Sequence, residues 1–209
     1  MAKQVPARRV DAPKRLVERL TRAILDLAGE VPETSEHRSR GPEQRARKIA
    51  SDAANRAALA AGTLALPPGP VGWLTIVPEL VAIWHIQRQM VADIAGAYGV
   101  GAELTRSQML YCLFRHAAAQ AMRDIVVQVG ARLLIQDVPL RAIERIAAKI
   151  GLSVSKRLVG RGIARWLPVI GALGVGAYAY YDTGQVARTA IDLFRAEAAS
   201  KTQDGPKRS

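Results

Sequence analysis

WLPVIGALGVGAYAYYDTGQVARTAIDLF, residues 166–194, joins a charge-free half to an amphipathic one. From Trp166 to Tyr181 it carries no charge, and Gly171, Gly174 and Gly176 punctuate it. Beyond Asp182 it turns amphipathic, with Val186, Ala190, Ile191 and Phe194 at helical spacing. One helix from about Pro168 to Ala199 accounts for both halves. The charge-free part would measure about 24 Å at about 1.5 Å per residue, short of the ~30 Å hydrocarbon core of a bilayer. It therefore fits a packed helical core, or a hairpin dipping into one leaflet, better than a single-span anchor.

A second charge-free stretch, Ala57–Pro78, is long enough to span but is broken by Pro67-Pro68-Gly69-Pro70. Proline lacks the helical donor and clashes with the preceding turn, so a helix from Pro42 must end by about Leu66. The inner face of that helix is small: Ala46, Ala50, Ala53, Ala57, Ala60 and Ala61. Small side chains let a neighbouring helix approach closely. The next helix is expected from about Thr75, with Pro78 in its first turn, to Tyr98, where Gly99 and Gly101 supply the stop.

Outward from this pair, residues 1–12 read as a disordered basic arm and 13–28 as a first helix. Asp11 precedes that helix, Pro13 stands in its first turn and Gly29 follows its end; Leu16, Leu20, Ile24 and Leu27 line its apolar side. EVPETSEHRSRGP, residues 30–42, is polar and turn-rich and reads as a linker. A long helix is expected over about 105–134, capped by Thr105. Another, after Pro139, carries Ile143, Ile146, Ala147 and Ile150 on one face and ends before Gly151. Residues 200–209 form a polar tail. No window alternates with period two, so the chain is all-α. The expected architecture is a compact multi-helix bundle with a Pro/Gly-broken apolar hairpin and a C-terminal Gly-rich helix.

The 209 residues are 49% hydrophobic but only 5% aromatic, which favours close-packed alanine-rich helices over strands. Thirty Lys and Arg against eighteen Asp and Glu leave a net charge of +12. Such a charge attracts anionic lipid or nucleic acid. Cys112 is the only cysteine, so no internal disulfide forms. The basic N-terminus has no apolar run behind it and does not read as a secretory signal. The expected location is cytoplasmic, peripheral at the inner membrane.

Four polar residues of the helix ending at Tyr98 form a candidate cluster: Glu79, Gln87, Arg88 and Asp93. Gln87 falls within the apolar stripe Leu80, Trp84, Val91, Ile94 and Tyr98, so its amide must be hydrogen-bonded inside. Either these residues surround a ligand, or Gln87 bridges helices while Glu79 marks a helix start and Arg88 and Asp93 are solvated. His85 and His116 lack the further ligands that zinc requires, and Cys112 with His116 at i,i+4 makes only two. No G-x-S-x-G turn occurs, and Gly171-x-x-Gly174-x-Gly176 follows no strand. The three glycines read instead as sites of close helix packing. No metal, cofactor or catalytic residue is expected.

Two basic clusters stand out. Residues 1–22 hold seven Lys or Arg, and residues 141–165 hold Arg141, Arg145, Lys149, Lys156, Arg157, Arg161 and Arg165 against Glu144 alone. The second runs into Trp166. Arg157, Arg161 and Arg165 with Trp166 match a membrane-surface pattern, because cations snorkel towards phosphates and tryptophan favours the interface.

Three stretches in order, AGTLALPPGPVGWLT, PELVAIWHIQRQMVADIAGAYG and WLPVIGALGVGAYAYYDTGQVARTAIDLF, resemble the EcsC family of bacterial proteins. That family pairs a "glp-g-p-g" turn with a helix bearing an acid, a Gln-Arg pair and a terminal "iA-yG", then closes on "iPviGa-iGa". The resemblance covers roughly 43–197, within an EcsC-like helical domain drawn over 43–199. The family often has Asn or Asp shortly after the Gly-rich turn, where this chain has Tyr178-Ala179-Tyr180-Tyr181 before Asp182. The resemblance implies support of a transport or envelope system, since the family's namesake is encoded beside an ABC-type transporter, and it brings no catalytic residues. The expected function is a non-enzymatic, membrane-associated helical protein whose partners are anionic lipid and a membrane protein complex. A basic module binding nucleic acid or protein, and an enzyme acting on lipid or an envelope substrate, are the alternatives.

Overall fold

The computed structural model describes residues 11–64, 72–116, 139–160 and 168–203. Among them the chain forms six α-helices and no strand: α1 (Asp11–Gly29), α2 (Pro42–Leu64), α3 (Gly72–Tyr98), α4 (Arg106–Phe114), α5 (Leu140–Gly160) and α6 (Pro168–Gln203). A 3-10 turn, Gly101–Glu103, joins α3 to α4. The fold is all-α, as the lack of period-two alternation requires.

The core follows the apolar periodicities. Leu20, Ile24 and Leu27 of α1 are buried and meet α5, whose Ile143, Ile146, Ala147, Ile150 and Val154 are buried in turn. On the other side, α2 lays Ala46, Ala53, Ala57 and Ala61 against α6. This pair is antiparallel: Gly176 of α6 lies over Ala58, while Arg195, further along α6, reaches back to Glu43 near the start of α2. Helix α3 touches both pairs and contributes Trp84, Met90, Val91, Ile94 and Ala95 to the common core. Trp84 meets Phe114 of α4 edge to face, with ring centroids 5.1 Å apart.

The helix ends are encoded locally. Gly99 takes φ +77°, the left-handed region glycine favours. Its N–H donates to Gly96 O (2.8 Å) and that of Val100 to Ala95 O (3.0 Å), a Schellman stop for α3. At the start of α4, Thr105 Oγ1 accepts from Gln108 N while Gln108 Oε1 accepts from Thr105 N, a complete capping box. Gln108 Nε2 then donates to Glu197 at 2.9 Å, tying the cap to α6.

Several expectations are revised. α1 starts at Asp11, so Asp11 lies inside the helix rather than before it. α3 starts at Gly72, which puts Pro78 inside the helix at a solvent-exposed position rather than in the first turn. α5 passes through Gly151 to Gly160. Glycine there does not end the helix but lets α1 in: a Cβ on Gly151 would stand 2.6 Å from Thr21 Oγ1. α6 continues to Gln203, so the first residues of the expected tail are helical. The helix expected over 105–134 ends at Phe114, with a turn at 115–116; its residues 117–134, the 67–70 turn and residues 1–10 of the arm lie outside the described residues.

Residues 30–41, read as a linker, form no regular element, yet they are bound along α3 as a strap. Arg88 Nη1 donates to Leu27 O and Glu30 O, both at 3.3 Å, which satisfies carbonyls at the C-terminus of α1. Gln89 Nε2 reaches Glu33 O at 3.0 Å, and Ser39 N reaches Ala97 O at 3.0 Å. Gly96 makes the crossing possible, since a Cβ there would stand 2.6 Å from Glu36 O.

Candidate functional site

The described candidate residues of α3, Gln87, Arg88 and Asp93, do not converge. Gln87, 1% exposed, faces α6, where its Nε2 donates to Asp182 Oδ2 (3.0 Å) and Thr183 Oγ1 (3.1 Å). Arg88 caps α1. Asp93 Oδ1 accepts from Thr34 Oγ1 (2.7 Å) and Gln89 Nε2 (2.9 Å), so it clasps the strap rather than standing in solvent. The Glu79 side chain lies outside the described residues. The set divides because residues 87 and 88 on a helix point about 100° apart.

In place of that cluster the structure joins three helices through Asp182. Besides Gln87, the carboxylate bonds His116 Nε2 at 2.8 Å through Oδ1. His116 follows α4, so α3, α4 and α6 meet at one carboxylate. His116 Nδ1 is buried without a hydrogen-bond partner. A carboxylate oxygen accepts, so Nε2 is the donor of the bond to Asp182. The signal for this arrangement was in the chain: a buried amide at 87 needs a partner, and Asp182-Thr183 is the first polar pair after the charge-free run. A separation of ninety-five residues hid it.

Cys112, one turn before His116, is fully buried, and desolvation holds its thiol protonated by pushing its pKa far up. It offers no nucleophile. No group of three or more His, Cys, Asp or Glu among the described residues could hold a metal ion.

The glycines of α6 separate by direction. A Cβ on Gly176 would lie 3.1 Å from Ala58 O, so Gly176 sits at a close crossing with α2. Gly174 has nothing within 4 Å; two residues turn the helix about 200°, so it faces outward and is no packing site. The surroundings of Gly171 lie outside the described residues, as do the side chain of Arg157 and all of Arg161, Arg165 and Trp166.

Two surfaces remain. On the first, α1 and α5 pack together and expose Lys14, Arg15, Arg19 and Arg22 beside Arg141, Arg145 and Lys156, against Glu18, Asp26 and Glu144. None of these seven cations forms an ion pair among the described residues. The second lies on α2 and α6. A groove of about 520 Å³ runs between them, with Arg47, Arg188, Arg195, Glu43 and Asp192 in its walls and Tyr180 at one side. Glu43 pairs with both Arg47 (2.6 Å) and Arg195 (3.1 Å), and these arginines hold its carboxyl below the usual range. Leu59, Tyr178, Tyr180 and Tyr181 are exposed on the same two helices, Leu59 at 70% and Tyr181 at 62%.

No helix among the described residues is long and apolar enough to cross a membrane. Comparison with known proteins finds no matching family model, curated protein or solved structure.

Proposed function

We propose that this chain is a non-enzymatic, EcsC-like helical protein that associates peripherally with the cytoplasmic face of a bacterial membrane, in support of a transport or envelope system. The observation that carries the reading is the packing of α1 on α5, which brings together two helices that expose Lys14, Arg15, Arg19 and Arg22, and Arg141, Arg145 and Lys156, with no ion pair among the described residues. Each cation near an anionic leaflet contributes about 1 kcal/mol, so four in contact give roughly a thousandfold in partition. The charge-free half of α6 is too short to span a bilayer. His116 and Asp182, the nearest thing to a catalytic pair, hold helices together. The family resemblance rests on the three quoted stretches and supplies the transport or envelope context.

Fractionation of cells expressing the chain tests the reading. Recovery with membranes and partial release by a high-salt wash is expected. Recovery wholly in the soluble pool, or with nucleoids, would contradict it.

A further inference from the structure

Water-facing helix positions are ordinarily polar, and a contiguous exposed apolar patch marks a contact surface. The charge-free half of α6 departs from this pattern. Gly174, Ala177, Tyr178 and Tyr181 recur at three- and four-residue spacing and are all exposed. No charged residue occurs on α6 before Asp182, so nothing on that half of the helix gives this stripe a charge. Across the crossing at Gly176 and Ala58, the adjacent residue on α2 is Leu59, the most exposed large apolar side chain among the described residues.

Cations rim the patch. Arg56, less than one turn before Leu59, and Arg188, two turns after Tyr181, are exposed and form no ion pair among the described residues. Tyrosine suits a bilayer boundary because its ring is apolar and its hydroxyl remains wet. Apolar side chains with flanking unpaired arginines complement a surface that has an acyl interior under an anionic headgroup layer.

We infer that the patch formed by Leu59, Tyr178 and Tyr181 is the face that enters the headgroup layer of an anionic phospholipid bilayer. The inference rests on the membrane reading above and adds to it: charge brings the protein to the surface, and this face holds it there. Tyr181 and Leu59 enter as side chains, with the axis of α6 near the plane of the interface. Arg56 and Arg188 meet lipid phosphates at the rim.

The test is vesicle flotation in low and high salt, with vesicles of equal parts phosphatidylcholine and phosphatidylglycerol. It compares the full chain with the variant Leu59→Ser/Tyr178→Ser/Tyr181→Ser and with Arg19→Glu/Arg22→Glu. The full chain is expected to float in low salt and to remain partly bound in high salt. The triple variant should bind at least about tenfold more weakly, from the apolar burial it forgoes, and be released completely by salt. The charge-reversed variant should bind in low salt only to the level of the salt-resistant fraction, which it keeps. A full chain that floats, with a triple variant equal to it in both salts, overturns this inference and leaves the membrane reading standing. A full chain that does not float overturns both. A stable dimer of the full chain in gel filtration, converted to monomer by the triple variant, would show that a second copy covers the patch and would also overturn it. Should the triple variant lose helicity, Leu59→Ser and Tyr181→Ser alone read the same comparison.

Discussion

Replacing Asp182 with alanine removes the one acceptor shared by α3, α4 and α6. Gln87 Nε2 keeps Thr183 Oγ1 at 3.1 Å but loses Asp182 at 3.0 Å, and at 1% exposure no water replaces it. His116 loses its 2.8 Å bond and is left with both ring nitrogens unmet. A stranded buried polar group costs about 1–3 kcal/mol. The imidazole is about a quarter exposed and recovers part of that loss through water. The expected destabilisation is about 2–4 kcal/mol, which at about 2–4 °C per kcal/mol for a chain of this length shifts the melting temperature by roughly 5–15 °C. Urea unfolding followed by circular dichroism measures it. A double-mutant cycle with Gln87→Ala isolates the pair, for which a coupling of about 1 kcal/mol is expected. Asp182→Asn retains one acceptor and should fall between alanine and the native residue. A loss under about 0.5 kcal/mol with no coupling would show that the three-helix junction does not hold the fold together.

Other consequences follow from positions already described. Gly96→Ala should destabilise by about 1–3 kcal/mol, because its Cβ would meet the Glu36 carbonyl at 2.6 Å. Gly174→Ala, with nothing within 4 Å, should stabilise by up to about 1 kcal/mol through helix propensity; thermal melts of the two variants should therefore shift in opposite directions. The Glu36 carboxyl is held below its ordinary value of 4.5, chiefly by its hydrogen bond from Arg45. A depressed carboxylate stabilises the fold above its unfolded-state pKa and loses that contribution as pH falls through the folded value. The stability gap between the native chain and Glu36→Gln should thus be constant near neutrality and close below about pH 4, as urea melts across pH would show. Cys112, buried and held protonated, should resist alkylation in the native state and react promptly in denaturant, and mass spectrometry reads both rates.

Much of the fold was legible because it is written locally. The apolar stripe of α1, the small face of α2, the Gly99 stop and the Thr105 cap each depend on residues within a turn or two, and each stands where the chain placed it. What the sequence hid was the pairing of distant elements. Residues 30–41 have the composition of a linker, and only their bonds to Arg88, Gln89 and Asp93 make them a strap. Gly151 has the look of a stop, and only the approach of Thr21 explains it. The candidate residues on α3 are neighbours in sequence, but Gln87, Arg88 and Asp93 turn to different partners. Gln87 was correctly placed in the core, but its partners lie on α6.

The two basic clusters were likewise visible as composition, while the packing of α1 on α5, the helices that carry their described part, is a tertiary fact. That packing makes lipid charge the decisive variable. The most direct test is equilibrium binding of the full chain to anionic vesicles, to neutral vesicles and to duplex DNA in one buffer at physiological salt. The account predicts binding to the anionic vesicles, little to the neutral ones, and weak binding to DNA that salt abolishes. Tight binding to DNA with none to either vesicle would contradict it.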